Sequence, residues 1–425
     1  MPRLLMVGLS HHAAPLEVRE RVVVDEAAWR RHAPAGFSTL LLSTCNRVEV
    51  YAWIEGRTQR AARTMMRCLA RAADVPLVEI EPYLTTRSSR DALLHLVRVA
   101  SGLDSLLVGE EQIRGQVRAA LRAGEEAEDL SATLRGVFQR AIESARRIRG
   151  STRLAQAPSI AAAGVNVARR ATPRGVQGQL AVVLGAGVMA RAAAEALLAS
   201  GARVRLLNRT PAHADRMLAT LRSAIDVGSL DGLPAALTEA VLVVGATAAR
   251  STVVNLADIQ AALKARTEPL VILDIAVPRD VDPRVRELQA VTLIDLDDLE
   301  RLCPVDTPTR HAEQERAEAL AAEEADRLGE WLRFRAVSPA IAELRTYAEG
   351  IRTAELRRSA SRLRDLTPEQ LQAVDALTSG IVKKLMHGPT IALRDAALRQ
   401  ASPGRSRSQI LRVLRPAGGP RGRTA

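Results

Sequence analysis

Leu180-Ala181-Val182-Val183-Leu184-Gly185-Ala186-Gly187-Val188-Met189-Ala190 reads as a buried strand, a glycine turn and the start of a helix. Five consecutive apolar residues suit a strand covered on both faces, as in a parallel sheet. In the G-x-G-x-x-A turn, Gly185 permits a tight reversal and Gly187 leaves backbone bare for a pyrophosphate. Ala190 is small enough for close helix–strand packing. The Ala-rich run continues to Ser200, Gly201 suits the left-handed position that ends a helix, and 204–207 begins a new strand. Apolar runs at 241–245 and 270–275 keep the same rhythm. Residues 156–300 are therefore expected to form a Rossmann-type dinucleotide-binding domain.

The end of the second strand carries Asn208-Arg209-Thr210. A unit built for NAD offers an Asp or Glu there to the ribose hydroxyls, and a carboxylate would repel a 2′-phosphate. An Arg fork and a Thr hydroxyl can hold that phosphate instead. NADPH is thus expected over NADH.

A second stretch, Ser43-Thr44-Cys45-Asn46-Arg47, lies between two strand-like runs, 40–42 and 48–53. A structural Cys would sit more naturally inside the apolar runs, where a free thiol behaves as a small hydrophobe. A thiol in a polar break beside a fixed cation has its thiolate favoured, and the thiolate attacks carbonyls. A plain turn Cys is the alternative. A nucleophilic Cys and NADPH in one chain suggest that an acyl group is reduced through a thioester to an aldehyde.

The bulk numbers narrow the partners. At 425 residues, about three domains are expected. Aromatics are only 2%, so Leu, Val, Ile and Ala must build the core. The net charge of +12 favours polyanions, nucleic acid first. Cys45, Cys68 and Cys303 are far apart, which indicates neither a disulfide framework nor a zinc site, and no metal is expected. No run approaches the about 18 apolar residues of a membrane span, and the apolar start is too short for a signal peptide. The chain reads as cytoplasmic.

Residues 1–155 mix strands (4–9 and the runs around Cys45) with helical spacing at 91–100, 113–127 and 134–149. Residues 301–425 read as helical. Ala317, Ala321, Ala325, Leu328 and Leu332 form one stripe, and Pro339 is expected to break the helix. Thr367-Pro368-Glu369-Gln370 has the form of a helix cap. Leu371, Val374, Leu377, Ile381 and Leu385 then share a face that a second copy of the chain would cover. From Ser402 on, six arginines and no acids suggest a disordered basic tail.

On these motifs the sequence resembles the glutamyl-tRNA reductase family. The resemblance runs through Gly8 to Pro15, Ser43 to Arg47, His95 through Gln116, the Gly185-to-Ala190 turn with Asn208-Arg209-Thr210, Asp274 to Asp280, and Glu330-Trp331-Leu332. It implies reduction of glutamyl-tRNA by NADPH to glutamate-1-semialdehyde, the first committed step of tetrapyrrole synthesis. It also implies a homodimer with an N-terminal α/β catalytic domain, a Rossmann-type NADP-binding domain and a C-terminal helical dimerisation domain joined by a long helix. By resemblance Cys45 is the nucleophile and His95 a His needed for activity. Thr44, Asn46, Arg47, Ser105, Glu110, Glu111, Gln112 and Gln116 fall on substrate positions, with Arg47 able to grip the glutamate carboxylate. The family also raises a glutamate-1-semialdehyde aminomutase as a partner. On its residues His95 alone reads as a satisfied His at a helix edge. Two other readings remain at this point: a shikimate dehydrogenase-like enzyme, and an RNA-binding or thiol-sensing regulator.

Overall fold

The computed structural model describes residues 3–110, 112–127, 129–153, 159–210, 225–303 and 308–399. They divide into two compact units, Arg3–Ala325 and the helices from Asp326 on.

The first unit begins with a four-stranded antiparallel sheet in the order β2-β3-β1-β4, built from β1 (Arg3–Ser10), β2 (Ser38–Ser43), β3 (Arg47–Ile54) and β4 (Thr85–Ser88). Alternate residues of β1 and β3 point to opposite faces. Leu5, Val7, Val50 and Ala52 pack with Met65 and Leu69 of the helix Thr58–Ala72. On the other face Tyr51 meets Phe138 edge-on, at a centroid distance of 5.2 Å. Both faces are covered, which is why these antiparallel strands read as continuous apolar runs.

The second sheet is six-stranded and fully parallel, in the order β10-β9-β8-β5-β6-β7. It comprises β5 (Leu180–Leu184), β6 (Arg203–Asn208), β7 (Asp226–Ser229), β8 (Leu242–Gly245), β9 (Leu270–Asp274) and β10 (Val291–Ile294). With β5 as the first strand this is the doubly wound order 3-2-1-4-5-6, which places a ligand crevice at the carboxyl ends of β5 and β8. Gly201, at φ +77, follows the helix Val188–Ala199 as expected.

The helix Pro308–Arg358 runs 51 residues with Pro339 inside it, so the expected break does not occur. The proline costs one backbone hydrogen bond. Val337, Ala340 and Leu344 are buried on one stripe on both sides of it, and that shared burial holds the helical register. In the second unit, Arg352 pairs with Asp375 at 2.5 Å and the Arg394 guanidinium stacks over Phe334, joining this helix to Pro368–Arg399. The Thr367 cap forms as read. Gln370 N–H donates to Thr367 Oγ1 at 3.3 Å, and Thr367 N–H donates to Gln370 Oε1 at 2.9 Å. Leu371, Leu377, Ile381 and Leu385 are exposed. The basic tail from Ser402 lies outside the described residues.

Candidate active site

Thr44 to Arg47 close the β2–β3 hairpin. Thr44 N–H donates to Arg47 O at 2.8 Å, and Thr44 Oγ1 accepts from the N–H groups of Asn46 and Arg47 at 3.2 Å each. The polar break is thus a self-bonded turn that presents Cys45 at its tip. The half-buried Cys45 side chain packs against the apolar cluster of the second sheet, together with Leu106 and Met189. Arg19, which no sequence motif marks, braces the turn. Its guanidinium donates to Cys45 O at 3.3 Å and Asn46 Oδ1 at 3.1 Å, and it pairs with Asp297 from the far end of the dinucleotide domain. Leu16 N–H bonds Asp297 as well, at 3.0 Å.

The thiol is not activated in the way the sequence suggested. Burial pushes Cys45 up to about 11, and the Glu110 carboxylate adds to this, against the weaker pull of Arg19 and Arg47. Arg47 points away into a buried network. Its Nη1 donates to Glu49 Oε1 and Asp104 Oδ2, both at 2.9 Å, and its Nη2 to Asp104 O. With a side chain only 1% exposed, the guanidinium is engaged by these buried acids. His95 belongs to the same network through Nε2 and Glu49 Oε1, 2.8 Å apart, and Tyr51 donates to Glu49 Oε2 at 2.7 Å. Burial alone would raise Glu49, but His95 and Arg47 win and hold it far below the usual carboxylate range.

The loop after helix Arg90–Ser101 returns to the thiol. Gly102 sits at φ +78, where a Cβ would come within 2.8 Å of Glu110 O. Arg149 fastens the other end through Gly109 O at 2.7 Å and Glu110 O at 3.2 Å. Ser105 and Glu110 are buried in this loop. Burial pushes the Glu110 carboxyl up to about 7, opposed by a hydrogen bond from the Ile160 backbone and by Arg47. Glu111 lies outside the described residues.

Gln112 and Gln116 are placed together. With Gly115 and Ala119 they form one face of the helix Gln112–Glu126, and that face closes a cavity of about 690 Å³ over Gly185, Ala186, Gly187, Val188, Met189, Asn208, Ala246, Thr247 and Ala248. The cavity fits a dinucleotide. Gly185 has φ +105, and a Cβ there would lie 2.6 Å from Ala246 O, so only Gly closes this turn. Nothing lies within 4 Å of a Cβ built on Gly187, which caps the next helix without a side-chain bond. The first N–H groups of that helix are available to a pyrophosphate. Ala190 is fully buried against the strand. Arg209 and Thr210 stand exposed just past β6, and Asn208 Nδ2 donates to Thr210 O at 2.8 Å. Asp280 accepts from Thr247 N–H at 2.8 Å and from its hydroxyl, which fixes the cavity's far wall.

No metal cluster was expected, yet His11, His12 and Glu300 bring ligand atoms within 4.8 Å of one another. His11 is buried, and among the described residues neither ring nitrogen finds a hydrogen-bond partner. Its pKa falls to about 3 through burial and then through His12, Arg47 and Arg19. The guanidiniums of Arg47 and Arg19 oppose a cation there. Only the pairing of His11 with His12 was visible in sequence; Glu300 arrives through the fold.

Three family models match in succession. They are the glutamyl-tRNA reductase N-terminal domain over 7–152, shikimate/quinate 5-dehydrogenase over 166–302, and the glutamyl-tRNA reductase dimerisation domain over 316–415. Among named relatives, glutamyl-tRNA reductase of Synechococcus sp. (strain JA-3-3Ab) is 36% identical over 421 residues, 97% of this chain and 96% of the relative. That of Herpetosiphon aurantiacus is 36% identical over 94% of this chain and 96% of its own length. The solved glutamyl-tRNA reductase from Methanopyrus kandleri is 29% identical, covering 96% of this chain and 98% of that one with a TM-score of 0.48. At 36% identity to the Synechococcus and Herpetosiphon proteins over nearly its whole length, the chain belongs to the glutamyl-tRNA reductase family.

Proposed function

We propose that this chain reduces glutamyl-tRNA to glutamate-1-semialdehyde through a glutamyl thioester on Cys45, using NADPH, and so opens tetrapyrrole synthesis. The observation that carries the reading is the joining of two sites in one unit. The Cys45 hairpin packs on the dinucleotide domain's apolar cluster, and the helix that begins at Gln112 closes over the dinucleotide cavity. A shikimate dehydrogenase-like enzyme would use the cavity but would leave the braced Cys turn without a task. Residues 1–155, 156–300 and 301–425 are read as catalytic, NADP-binding and dimerisation domains. The dimerisation-domain match supports a homodimer, with the exposed apolar face of Pro368–Arg399 covered by the second copy. Among the described residues no helix is long and apolar enough to cross a membrane, and a cytoplasmic enzyme that passes its aldehyde to an aminomutase fits this reading.

Cys45 loses its proton and attacks the ester carbonyl, and the tRNA 3′-terminal ribose oxygen leaves and takes up a proton. Held at the Gly185, Gly187 and Val188 turn, a reduced nicotinamide cofactor would supply the hydride that takes the Cys45 thioester to the aldehyde, with the Cys45 thiolate as leaving group. Glu110, whose charge acts on the Cys45 thiol and whose own carboxyl is pushed up to about 7 by burial, is suited to take the first proton and return it to the leaving oxygen. Thr44, Asn46, Ser105, Gln112 and Gln116 surround the acyl group. Glu111 completes this set by sequence, and Arg47 and His95 hold the hairpin in place through Glu49 and Asp104. The test is mass spectrometry after mixing with glutamyl-tRNA and no NADPH. A glutamyl adduct on Cys45 supports the reading, and acylation elsewhere, or none, overturns it.

Glu110→Gln separates two effects. Without the carboxylate the thiol ionises more readily, so iodoacetamide should alkylate Cys45 faster near neutral pH. Turnover should nevertheless fall by roughly 10²-fold as the base is lost. Wild-type activity should rise through about pH 7 as Glu110 ionises, and that rise should be absent in the variant. Faster alkylation with unchanged turnover would leave Glu110 only as a repulsive neighbour.

NADPH is favoured over NADH because Arg209 is exposed at the end of β6, where the 2′-phosphate falls. Arg209→Ala should weaken NADPH binding by about 1.5–3 kcal/mol, one to two decades, with little change for NADH. Calorimetry with both cofactors checks this, and equal losses would give Arg209 a structural role.

A further inference from the structure

The helix Thr58–Ala72 buries Ala61, Ala62, Met65, Leu69 and Ala70 and turns a row of arginines outward. Arg57, Arg60, Arg63, Arg67 and Arg71 are all exposed, and no acid occurs between Glu55 and Asp74. None of the five guanidiniums meets a carboxylate among the described residues. On two other helices an exposed arginine does have a carboxylate partner: Arg191 pairs with Glu195, and Arg358 with Glu355. Like charges three and four apart destabilise a helix by about 0.2–0.5 kcal/mol per pair, so this row carries a cost that a bound polyanion would remove. Arg57, Arg60, Arg63 and Arg67 also line a groove of about 1130 Å³ that continues to Arg3 at the start of β1.

We propose that this row docks the phosphodiester backbone of the acceptor stem of the same tRNA whose 3′ end reaches Cys45. The inference rests on the reading of the substrate given above. From Arg57 to Arg71 the row spans about 20 Å at 1.5 Å per residue, a line of positive charge that matches successive phosphates better than a single small anion. Its place also fits. In the β1–β3 register, Arg3 faces Ile54 at the groove end and Ser10 faces Arg47 at the thiol end. Seven steps at about 3.4 Å put the groove some 24 Å along the sheet from Cys45. A stem leading away from an ester held at Cys45 can reach it. Guanidinium forks suit phosphate oxygens.

The test uses the full-length protein carrying Arg60→Gln, Arg63→Gln and Arg67→Gln together, with the matching triple Lys variant. Binding of deacylated tRNA for glutamate is measured by filter retention from about 50 to 200 mM salt, beside single-turnover reduction at saturating glutamyl-tRNA. Three lost phosphate contacts should flatten the slope of log K against log salt by about 2 to 3, at roughly 0.7–0.9 each. Affinity at the low-salt end should fall at least about tenfold, with single-turnover rate unchanged, and the Lys variant should keep the wild-type slope. A Gln variant with wild-type slope and affinity overturns the proposal, as does a Lys variant that fails equally, which would mark a structural role. Unchanged tRNA binding with weakened retention on phosphatidylserine vesicles would assign the row to a membrane and also overturn it. Failure of the wild-type protein to reduce glutamyl-tRNA would strike the functional reading instead, and the deacylated-tRNA arm would still report on the row.

Discussion

Cys45→Ser is expected to abolish reduction of glutamyl-tRNA, lowering turnover by roughly 10³-fold or more, as loss of a covalent nucleophile does. NADPH binding and thermal stability should stay near wild type. The side chain is half-buried at a hairpin tip, and the turn is closed by Thr44 and braced by Arg19 through Cys45 O, a backbone atom. A hydroxyl fits the same space but ionises far less readily than the thiol, and burial disfavours its charged form as well. Single-turnover assays on quenched samples check this. The variant should form no adduct and release no aldehyde while still retaining labelled tRNA on a filter. Appreciable turnover would mean that hydride reaches the ester without a thioester, and the covalent route would fall.

Much of the architecture could be read from the sequence because local signals agreed. Five apolar residues, then Gly185 and Gly187, then an Ala-rich run, dictate strand, turn and helix with no help from elsewhere in the chain. Strands β7 (Asp226–Ser229) and β10 (Val291–Ile294) are not legible because each is short, is interrupted by polar residues or Gly, and draws its stability from parallel neighbours distant in sequence. Pro339 misled for the opposite reason. A local rule predicts a break, and burial of Val337, Ala340 and Leu344 overrides it. At the site, the residue types were legible but their pairings were not. Sequence proximity put Arg47 beside Cys45, whereas alternation along β3 turns Arg47 to the face of Glu49 and Tyr51. The cation that touches the Cys45 turn is Arg19, twenty-six residues away, and no spacing rule reveals such a contact. Glu110 likewise gains its raised pKa only from burial in the folded loop.

Removing Arg47 should unfold the site more than it impairs substrate binding. Arg47→Ala leaves Glu49 and Asp104 buried with their main cation gone, and breaking a buried pair of this kind costs about 3–5 kcal/mol. His95 still meets Glu49, and Arg98 lies 3.7 Å from Asp104, so the loss should fall toward the lower end. The dependence on pH gives the sign. Both carboxylates have folded pKa values below their ordinary ones, Glu49 through His95 and Arg47 and Asp104 chiefly through Arg47, each against the penalty of burial. Such groups stabilise the fold above their unfolded pKa values of about 4, and that contribution is lost as pH falls through the lower folded values. In the variant the depression shrinks, so the gap between the two urea midpoints should be widest near neutrality and close as pH drops below about 4. Urea titrations of both proteins at several pH values measure it. A variant with the wild-type midpoint but a greatly raised KM for glutamyl-tRNA would return Arg47 to the role its sequence position first suggested, a grip on the glutamate carboxylate. The two hydrogen bonds at 2.9 Å to buried acids argue that stability is what this guanidinium supplies.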